Sequence, residues 1–290
     1  MSLESNKRNL STTHILVKMS FFTLITINYN HADGLRKTIE SVINQTYQDF
    51  EYIIIDGGST DGSVEVIKEY ADHIHYWISE PDKGVFNAMN KGISNAHGEY
   101  CLFLNSGDYL YSEDSLNKFI KFNCYQDIVI GKLKIVNNQN DALHEIYEVP
   151  DEITAFFLFK NYVPHPSTFI KRELLLKSGK FNEDLKIIGD WEFFLRTLTI
   201  EHASWTKINA IISSFVTDGL SSSKENQVII EKEKEKVLKT LFPMFIKDFK
   251  NYELLLKNKE SSKEIAIFNL LKRIYEYLLK TSHKIIKLFK

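Results

Sequence analysis

The stretch Tyr100-Cys101-Leu102-Phe103-Leu104-Asn105-Ser106-Gly107-Asp108 joins an apolar run to an abruptly polar turn. The run, Tyr100 to Leu104, has the length and composition of a buried strand. Its polar end puts an amide, Asn105, and a carboxylate, Asp108, on a glycine-bearing turn at the carboxyl edge of that strand. In open α/β sheets this edge is where ligands bind. A carboxylate held there suits a hard divalent cation, and such a cation commonly carries phosphates.

Working outward, strand and helix patterns alternate from Phe21 to Asp108. Phe22 to Ile27 is rich in β-branched and aromatic residues and predicts a first strand. Leu35, Ile39, Val42 and Ile43 recur at helical spacing, with Asp33 as the expected N-cap. Tyr52 to Ile55 predicts a second strand ending at Asp56-Gly57-Gly58. Val64, Ile67 and Tyr70 mark a second helix behind Ser59-Thr60-Asp61. Ile74 to Ile78 predicts a third strand. Val85, Met89 and Ile93 mark a third helix, closed by Gly98 as a C-cap glycine. Strands separated by helices imply crossovers and a mostly parallel sheet. Beyond Asp108 the pattern is mixed. Ile128 to Val136 and Lys207 to Phe215 read as extended, and Ile153 to Phe159 and Asp190 to Leu198 as helical.

The bulk properties narrow the class. A chain of 290 residues with 43% hydrophobic content makes one large domain, or a domain with an appendage, around a real core. A net charge of −2 argues against a nucleic-acid-binding protein, which is normally basic. Cys101 and Cys124 are the two cysteines, and Cys101 falls inside an apolar strand, so no disulfide framework is indicated and a reducing compartment is expected. No apolar run approaches the ~20 residues that span a bilayer. Residues 1–20 form a polar leader without the apolar centre of an export signal, which points to the cytoplasm.

Four polar signals follow the four predicted strands in order. Asn28-Tyr29-Asn30 follows the first. Asp56-Gly57-Gly58-Ser59-Thr60-Asp61-Gly62 follows the second. The third is followed by Glu80-Pro81-Asp82-Lys83-Gly84 and the helix Val85-Phe86-Asn87-Ala88-Met89-Asn90-Lys91-Gly92, and the fourth by Asn105-Ser106-Gly107-Asp108. Successive carboxyl edges of a parallel sheet lie on one side, so these loops converge. On those residues alone, Asp56, Asp61 and Asp108 are also readable as turn or capping residues, and Asp82-Lys83 as a surface turn.

This combination resembles family 2 glycosyltransferases, the inverting nucleotide-sugar enzymes, and among them the bacterial members that build surface polysaccharides of the colanic-acid or capsule type. The resemblance runs from about Phe21 to Ser222. It implies an α/β GT-A fold, a Rossmann-like, mostly parallel sheet flanked by helices. Residues 21–115 would form the nucleotide-sugar half, residues 116–222 the acceptor half, and residues 223–290 a helical C-terminal extension. By the resemblance, Asn28 and Tyr29 cover the nucleotide base and Asp56 touches the nucleoside. Asp82 and Lys83 reach the donor. Asp108 matches the last acid of the Asp-x-Asp motif and would hold a Mg²⁺ or Mn²⁺ on the diphosphate. Two positions depart from the family: Gly57 stands where a second acid is usual, and Asn105 replaces the first acid of the Asp-x-Asp motif.

Downstream, Gly189-Asp190-Trp191-Glu192-Phe193-Phe194-Leu195-Arg196 resembles the family's acidic helix start. The resemblance makes Asp190 the catalytic base. A bare N-cap at Asp190, with Glu192 structural or solvent-facing, fits the same residues. His165, in Val163-Pro164-His165-Pro166-Ser167, resembles a residue before the acceptor site. Asp218 occupies a late loop that often offers a histidine to the metal or diphosphate, and is its stand-in as a metal ligand here. The expected partners are a nucleotide-sugar donor and a saccharide or lipid-linked saccharide acceptor, with no nucleic acid. Two other readings remain open at this level: a sugar nucleotidyltransferase, and a non-catalytic nucleotide-sugar-binding module that needs no Asp190.

The tail is of different composition. Residues 270–290 carry Lys272, Arg273, Lys280, Lys284, Lys287 and Lys290 against Glu276, with apolar residues at helical spacing. A basic amphipathic helix of this kind lies on an anionic membrane, which would make the protein peripheral on the inner membrane face, or packs on its own domain with its lysines in water.

Overall fold

The computed structural model describes residues 20–136, 143–217, 224–248, 250, 251 and 254. The elements run β1 (Phe22–Asn28), α1 (Ala32–Ile43), β2 (Phe50–Asp56), α2 (Ser63–Glu69), β3 (Tyr76–Ser79), α3 (Val85–Asn95), β4 (Tyr100–Phe103) and β5 (Tyr109–Leu110). They continue with α4 (Ser115–Phe122), β6 (Ile128–Val136), β7 (Leu143–Tyr147), α5 (Ala155–Lys160), β8 (Thr168–Lys171), α6 (Arg172–Lys177), α7 (Gly189–Thr199), β9 (Trp205–Val216) and α8 (Gln227–Leu241). The chain divides into two units, Met1–Glu233 and Lys234–Lys290. In the second, Glu235 pairs with Lys239 at 3.1 Å and with Lys250 at 3.4 Å.

The nine strands among the described residues share one sheet, in the order β3-β2-β1-β4-β8-β6-β9-β5, with β7 paired to the later part of β6 off this path. β1 pairs in parallel with β2 and β4, and β2 in parallel with β3. The short β8 then runs antiparallel to β4 and β6. β9 lies parallel to β6 and antiparallel to β5, which follows Asp108 directly.

Every residue of β1 and β4 is buried, which explains why apolar residues fall on both faces of each strand rather than alternating. Phe22, Leu24, Phe50, Tyr52, Ile54, Tyr100 and Leu102 belong to a core shared with Leu35, Ile39 and Val42 of α1, Ile67 of α2 and Phe119 of α4. Rings crowd its base, with Phe119 4.4 Å from Phe169 and 5.2 Å from Phe22 between centroids. The alternate residues face the other way. Ile25 meets Gly92 of α3, and Phe103 meets Phe181, which in turn contacts Phe86 and Phe193. Helices thus cover both faces, as a parallel sheet requires. Cys101 is one of these core residues, and burial pushes its thiol up to about 12, so it is an inert apolar filler.

Three local expectations are corrected. Asp33 does not cap α1; His31 holds the N-cap position without a side-chain bond, and Asp61 accepts the Ala32 N–H at 2.9 Å from across the loop. The third strand starts at Tyr76, two residues later than expected, because the 3₁₀ turn Ala71–His73 precedes it. Gly98 is not a C-cap, since α3 ends at Asn95 and leaves through an extended Ala96. Its need for glycine is steric. A Cβ there would lie 2.5 Å from the Phe22 carbonyl carbon and 2.6 Å from the Thr23 nitrogen, both backbone atoms of β1.

Gly98→Ala is therefore expected to destabilise the domain by about 1–3 kcal/mol through overpacking against immovable backbone. Urea unfolding reads this as a lower midpoint at constant slope; an unchanged midpoint would refute the contact.

Candidate active site

The register of the parallel strands builds the first cluster. Asn28 pairs with Asp56, and Asp56 with Ser79, at the carboxyl ends of β1, β2 and β3. Three side chains in one row then meet. Asp56 Oδ1 accepts Asn28 Nδ2–H at 2.7 Å and the Ser59 hydroxyl at 2.6 Å, and Oδ2 accepts the Ser79 hydroxyl at 2.6 Å and the Ser59 N–H at 2.9 Å. Burial alone would raise the pKa of Asp56. The bonds from Ser59, Ser79 and Asn28 outweigh it and hold the carboxyl below its ordinary range.

Beside this row, a Cβ on Gly57 would lie 3.1 Å from the Tyr29 ring and 3.2 Å from Asp82 Oδ2. The space a second acid would need is taken by Tyr29 and by a carboxylate from the third loop. Lys91 anchors Asp82 at 2.6 Å and Glu80 at 2.7 Å. Tyr29 is 68% exposed, leaving an aromatic surface at the sheet edge. Lys83 stands apart: it is exposed, and its backbone N–H donates to Asn87 at 3.2 Å.

The turn after β4 hangs on a buried residue of α1. The Thr38 hydroxyl donates to the Asp108 carbonyl at 2.7 Å and accepts the Gly107 N–H at 3.0 Å. Gly107 has φ +101°, a conformation that favours glycine, and the His31 ring lies so close that a Cβ would meet its Cε1 at 2.9 Å. His31 Nδ1 bonds the Ser106 carbonyl at 3.1 Å. The same loop reaches the first cluster, since Asn30 N–H donates to Ser59 at 2.7 Å. Asp108 is buried, and its Oδ1 accepts the Val216 N–H at 3.3 Å.

From the other half, the 3₁₀ turn His165–Ser167 and the first turn of α7 close on this loop. His165 Nδ1–H donates to Asp190 Oδ2 at 2.8 Å, while Nε2 faces Asn105 Nδ2 at 3.5 Å. Asp190 Oδ1 accepts the Trp191 N–H at 2.8 Å. The side chains of His165 and Asp190 are 15% and 23% exposed, so the pair is held yet reachable. Asp190 is the second residue of α7 and not its N-cap, which is Ile188. Glu192 is structural: it is buried and pairs with Arg196 at 2.8 Å. Asp218 lies outside the described residues.

The Asp108 carboxylate and the buried Asn105 Oδ1, which has no hydrogen-bond partner, are hard oxygen donors on one turn. Among the described residues no three His, Cys, Asp or Glu side chains converge on one point. This donor set fits a cation that arrives with a diphosphate supplying further oxygens, rather than one caged by protein.

An open sheet with polar turns gathered at the carboxyl edges of β1, β2 and β4, and an acidic helix start facing them, is the GT-A architecture of nucleotide-sugar-dependent transferases. The model of the family "Glycosyl transferase family 2" matches residues 23–178, and the chain belongs to that family. It is a glycosyltransferase, and the nucleotidyltransferase and binding-module readings fall away. An uncharacterized glycosyltransferase of Mycobacterium tuberculosis is 31% identical over 71% of this chain and 79% of the relative. A PGL/p-HBAD biosynthesis glycosyltransferase of Mycobacterium bovis is 29% identical over 67% and 76%. Among solved structures, S. aureus TarS 1-349 in complex with UDP-GlcNAc superposes with TM-score 0.57 at 19% identity, over 76% of this chain and 70% of that one. The Pyrobaculum calidifontis mannosyltransferase PcManGT, with GDP-Man and Mn²⁺, gives 0.54 at 16% identity over 71% and 59%. These likenesses support the fold.

Sequence reading missed Thr38, His31 and Ser79. Thr38 left a usable signal, a hydroxyl on the apolar stripe Leu35, Ile39, Val42. Ser79 and His31 left none, because their partners come from other strands and loops.

Two outcomes follow from these contacts. Thr38→Val keeps the shape but leaves the Gly107 N–H unpaired, and is expected to cost about 1–3 kcal/mol in chemical unfolding; a neutral substitution would remove Thr38 from its central place. For His165, burial on its own lowers the pKa, but the hydrogen bond and charge of Asp190, with the charge of Asp108, hold it above its ordinary value. The pair's stabilisation is then complete below about pH 6.5 and is lost as pH rises through the folded value. The stability lost in Asp190→Asn should shrink as pH rises through that window; a pH-independent loss would contradict the pairing.

Proposed function

We propose that this glycosyltransferase moves a sugar from a nucleoside-diphosphate sugar to an acceptor hydroxyl with inversion at the anomeric carbon. The observation that carries the reading is the chain Asp190–His165–Asn105, which brings a reachable carboxylate to the turn that bears Asp108. Asn28, Tyr29, Asp56 and Asp82 form the nucleoside side of the donor site, with Lys83 at its margin.

Asp190 takes the proton from the acceptor hydroxyl as its oxygen bonds to the anomeric carbon. The bond from that carbon to the diphosphate breaks on the opposite face, and the pair of electrons leaves with the nucleoside diphosphate. The Asp190 carboxylate is oriented for this by His165 on one oxygen and the Trp191 N–H on the other. Asp108, with Asn105 beside it, would hold Mg²⁺ or Mn²⁺, and such an ion supplies charge neutralisation for the leaving diphosphate. Asp218 is the further candidate ligand.

The acceptor we infer is a lipid-linked saccharide in cell-surface polysaccharide synthesis, reached from the cytoplasmic face of the membrane. Kinship with a PGL/p-HBAD biosynthesis glycosyltransferase and the basic stretch at residues 270–290 support this. No helix among the described residues is long and apolar enough to cross a membrane. Residues 270–290 lie outside the described residues, and it is their basic, amphipathic sequence that suits a peripheral contact.

Calorimetry with a panel of UDP- and GDP-sugars, with Mn²⁺ and then with excess chelator, tests the donor site. Metal-dependent binding of one donor is expected, weakened in Asp108→Ala. Asp190→Asn should lower turnover about 10²–10⁴-fold while donor affinity holds. A near-normal rate in Asp190→Asn would remove it as the base. Deleting residues 270–290 should abolish co-sedimentation with anionic vesicles, and unchanged binding would reject the membrane contact.

A further inference from the structure

The loop that delivers Asp190 ends in three backbone N–H groups, those of Lys186, Ile187 and Ile188. They precede the first internal bond of α7, from Glu192 N–H to the Ile188 carbonyl at 2.9 Å. Such groups have no partner within the helix, and Ile188 at the N-cap brings no side-chain acceptor. One distant side chain accepts all three. Glu233 Oε1 takes the Lys186 N–H at 2.6 Å, and Oε2 takes those of Ile187 at 3.1 Å and Ile188 at 3.3 Å.

Charge-assisted bonds to backbone N–H are among the stronger ones, and a carboxylate beside a helix N-terminus is further favoured by the helix dipole. The opposite flank is packed. A Cβ on Gly189 would fall 2.7 Å from the Phe86 ring, so the helix start rests on α3, and Trp191 Nε1–H donates to the Leu158 carbonyl at 2.7 Å. Of these restraints, the Glu233 carboxylate is the one that bonds the backbone N–H groups of residues 186–188.

We propose that Glu233 is a positioning residue for Asp190: its carboxylate ties down the backbone of residues 186–188 and thereby sets where the Asp190 carboxylate meets His165. The proposal rests on the reading of Asp190 as the base. It assigns a functional part to a glutamate of α8, whose run Glu231-Lys232-Glu233-Lys234-Glu235-Lys236 by composition alone suggests a solvated helix face.

The test compares the full chain with Glu233→Ala and Glu233→Gln, first without any ligand. Hydrogen exchange at the amides of residues 186–188 should quicken by about tenfold or more in Glu233→Ala, since their acceptor is gone. In the same variant the His165 ring proton and nitrogen resonances should move toward their positions in Asp190→Asn. Turnover of the sugar nucleotide selected from the UDP- and GDP-sugar panel should fall about 10–100-fold at unchanged KM for it, as expected when a reacting group is displaced by about 1 Å. Glu233→Gln keeps one acceptor oxygen and should fall between, and it stands in for the alanine variant if that fails to fold. A wild-type His165 signature in both variants overturns the proposal, even with faster exchange, because the loop would then be structural only. If that signature moves while Asp190→Asn keeps its turnover, the base assignment fails and the placement by Glu233 stands.

Discussion

The buried carboxylate of Asp56 is the constraint around which the carboxyl edge of the sheet is organised. An ionised carboxylate out of water is costly unless each oxygen is met by donors. Here four bonds from Asn28, Ser59 and Ser79 meet it. Those donors come from the ends of β1 and β3 and from the loop after β2, whose own end supplies Asp56. They coincide only when the strands run parallel in one register. A slip of one residue would turn each side chain to the other face and leave the charge unpaired. The apolar core tolerates small changes of shape, whereas this polar row does not. It ties the ends of β1, β2 and β3 into one rigid ledge.

From that ledge, restraint passes along short polar links. Ser59 bonds Asn30, His31 bonds Ser106, and Thr38 grips both ends of the Gly107-Asp108 step. Asn105 then faces His165, which holds Asp190. Each link is an ordinary hydrogen bond of modest net worth. Together they relate a row of residues near the start of the chain to a helix about 160 positions later, with few of the side chains free to choose another rotamer. For the displacement proposed above, that is the preorganisation the reaction would need, because a carboxylate that is already aimed loses little entropy when the acceptor arrives.

Much of this was legible in the sequence, and the reason is physical. Strands buried on both faces read as continuous apolar runs, and their ends read as sudden polarity, so the four loops could be placed in order. Asp56 and Asp108 stood out as polar residues at such ends, whereas Asp190, at a helix start, and His165, between two prolines, were picked out by the family resemblance. What escaped was whatever depends on a partner remote in sequence. The cap of α1 comes from Asp61, the pin of the Asp108 turn from Thr38, and the brace behind α7 from Glu233. Gly98 looked like a helix terminator and is instead a point of backbone contact with β1. Asp82 fills the space beside Gly57 from a different loop, a compensation that no local motif records.

The long strand β9 has one more consequence. It lies along β6 from Trp205 to Val216, its Ser213 and Ser214 also pair with Leu110 and Tyr109, and Val216 donates its N–H to Asp108. The acidic turn is therefore finished by chain from the second half. The two halves do not behave as interchangeable cassettes. A chimera that took residues 21–115 from one enzyme and the remainder from another would inherit Asp108 from one parent and its backbone partner from the other. Recombination between relatives is expected to succeed only where β5 and β9 travel together, which makes that pair a unit of inheritance cutting across the apparent division of the chain.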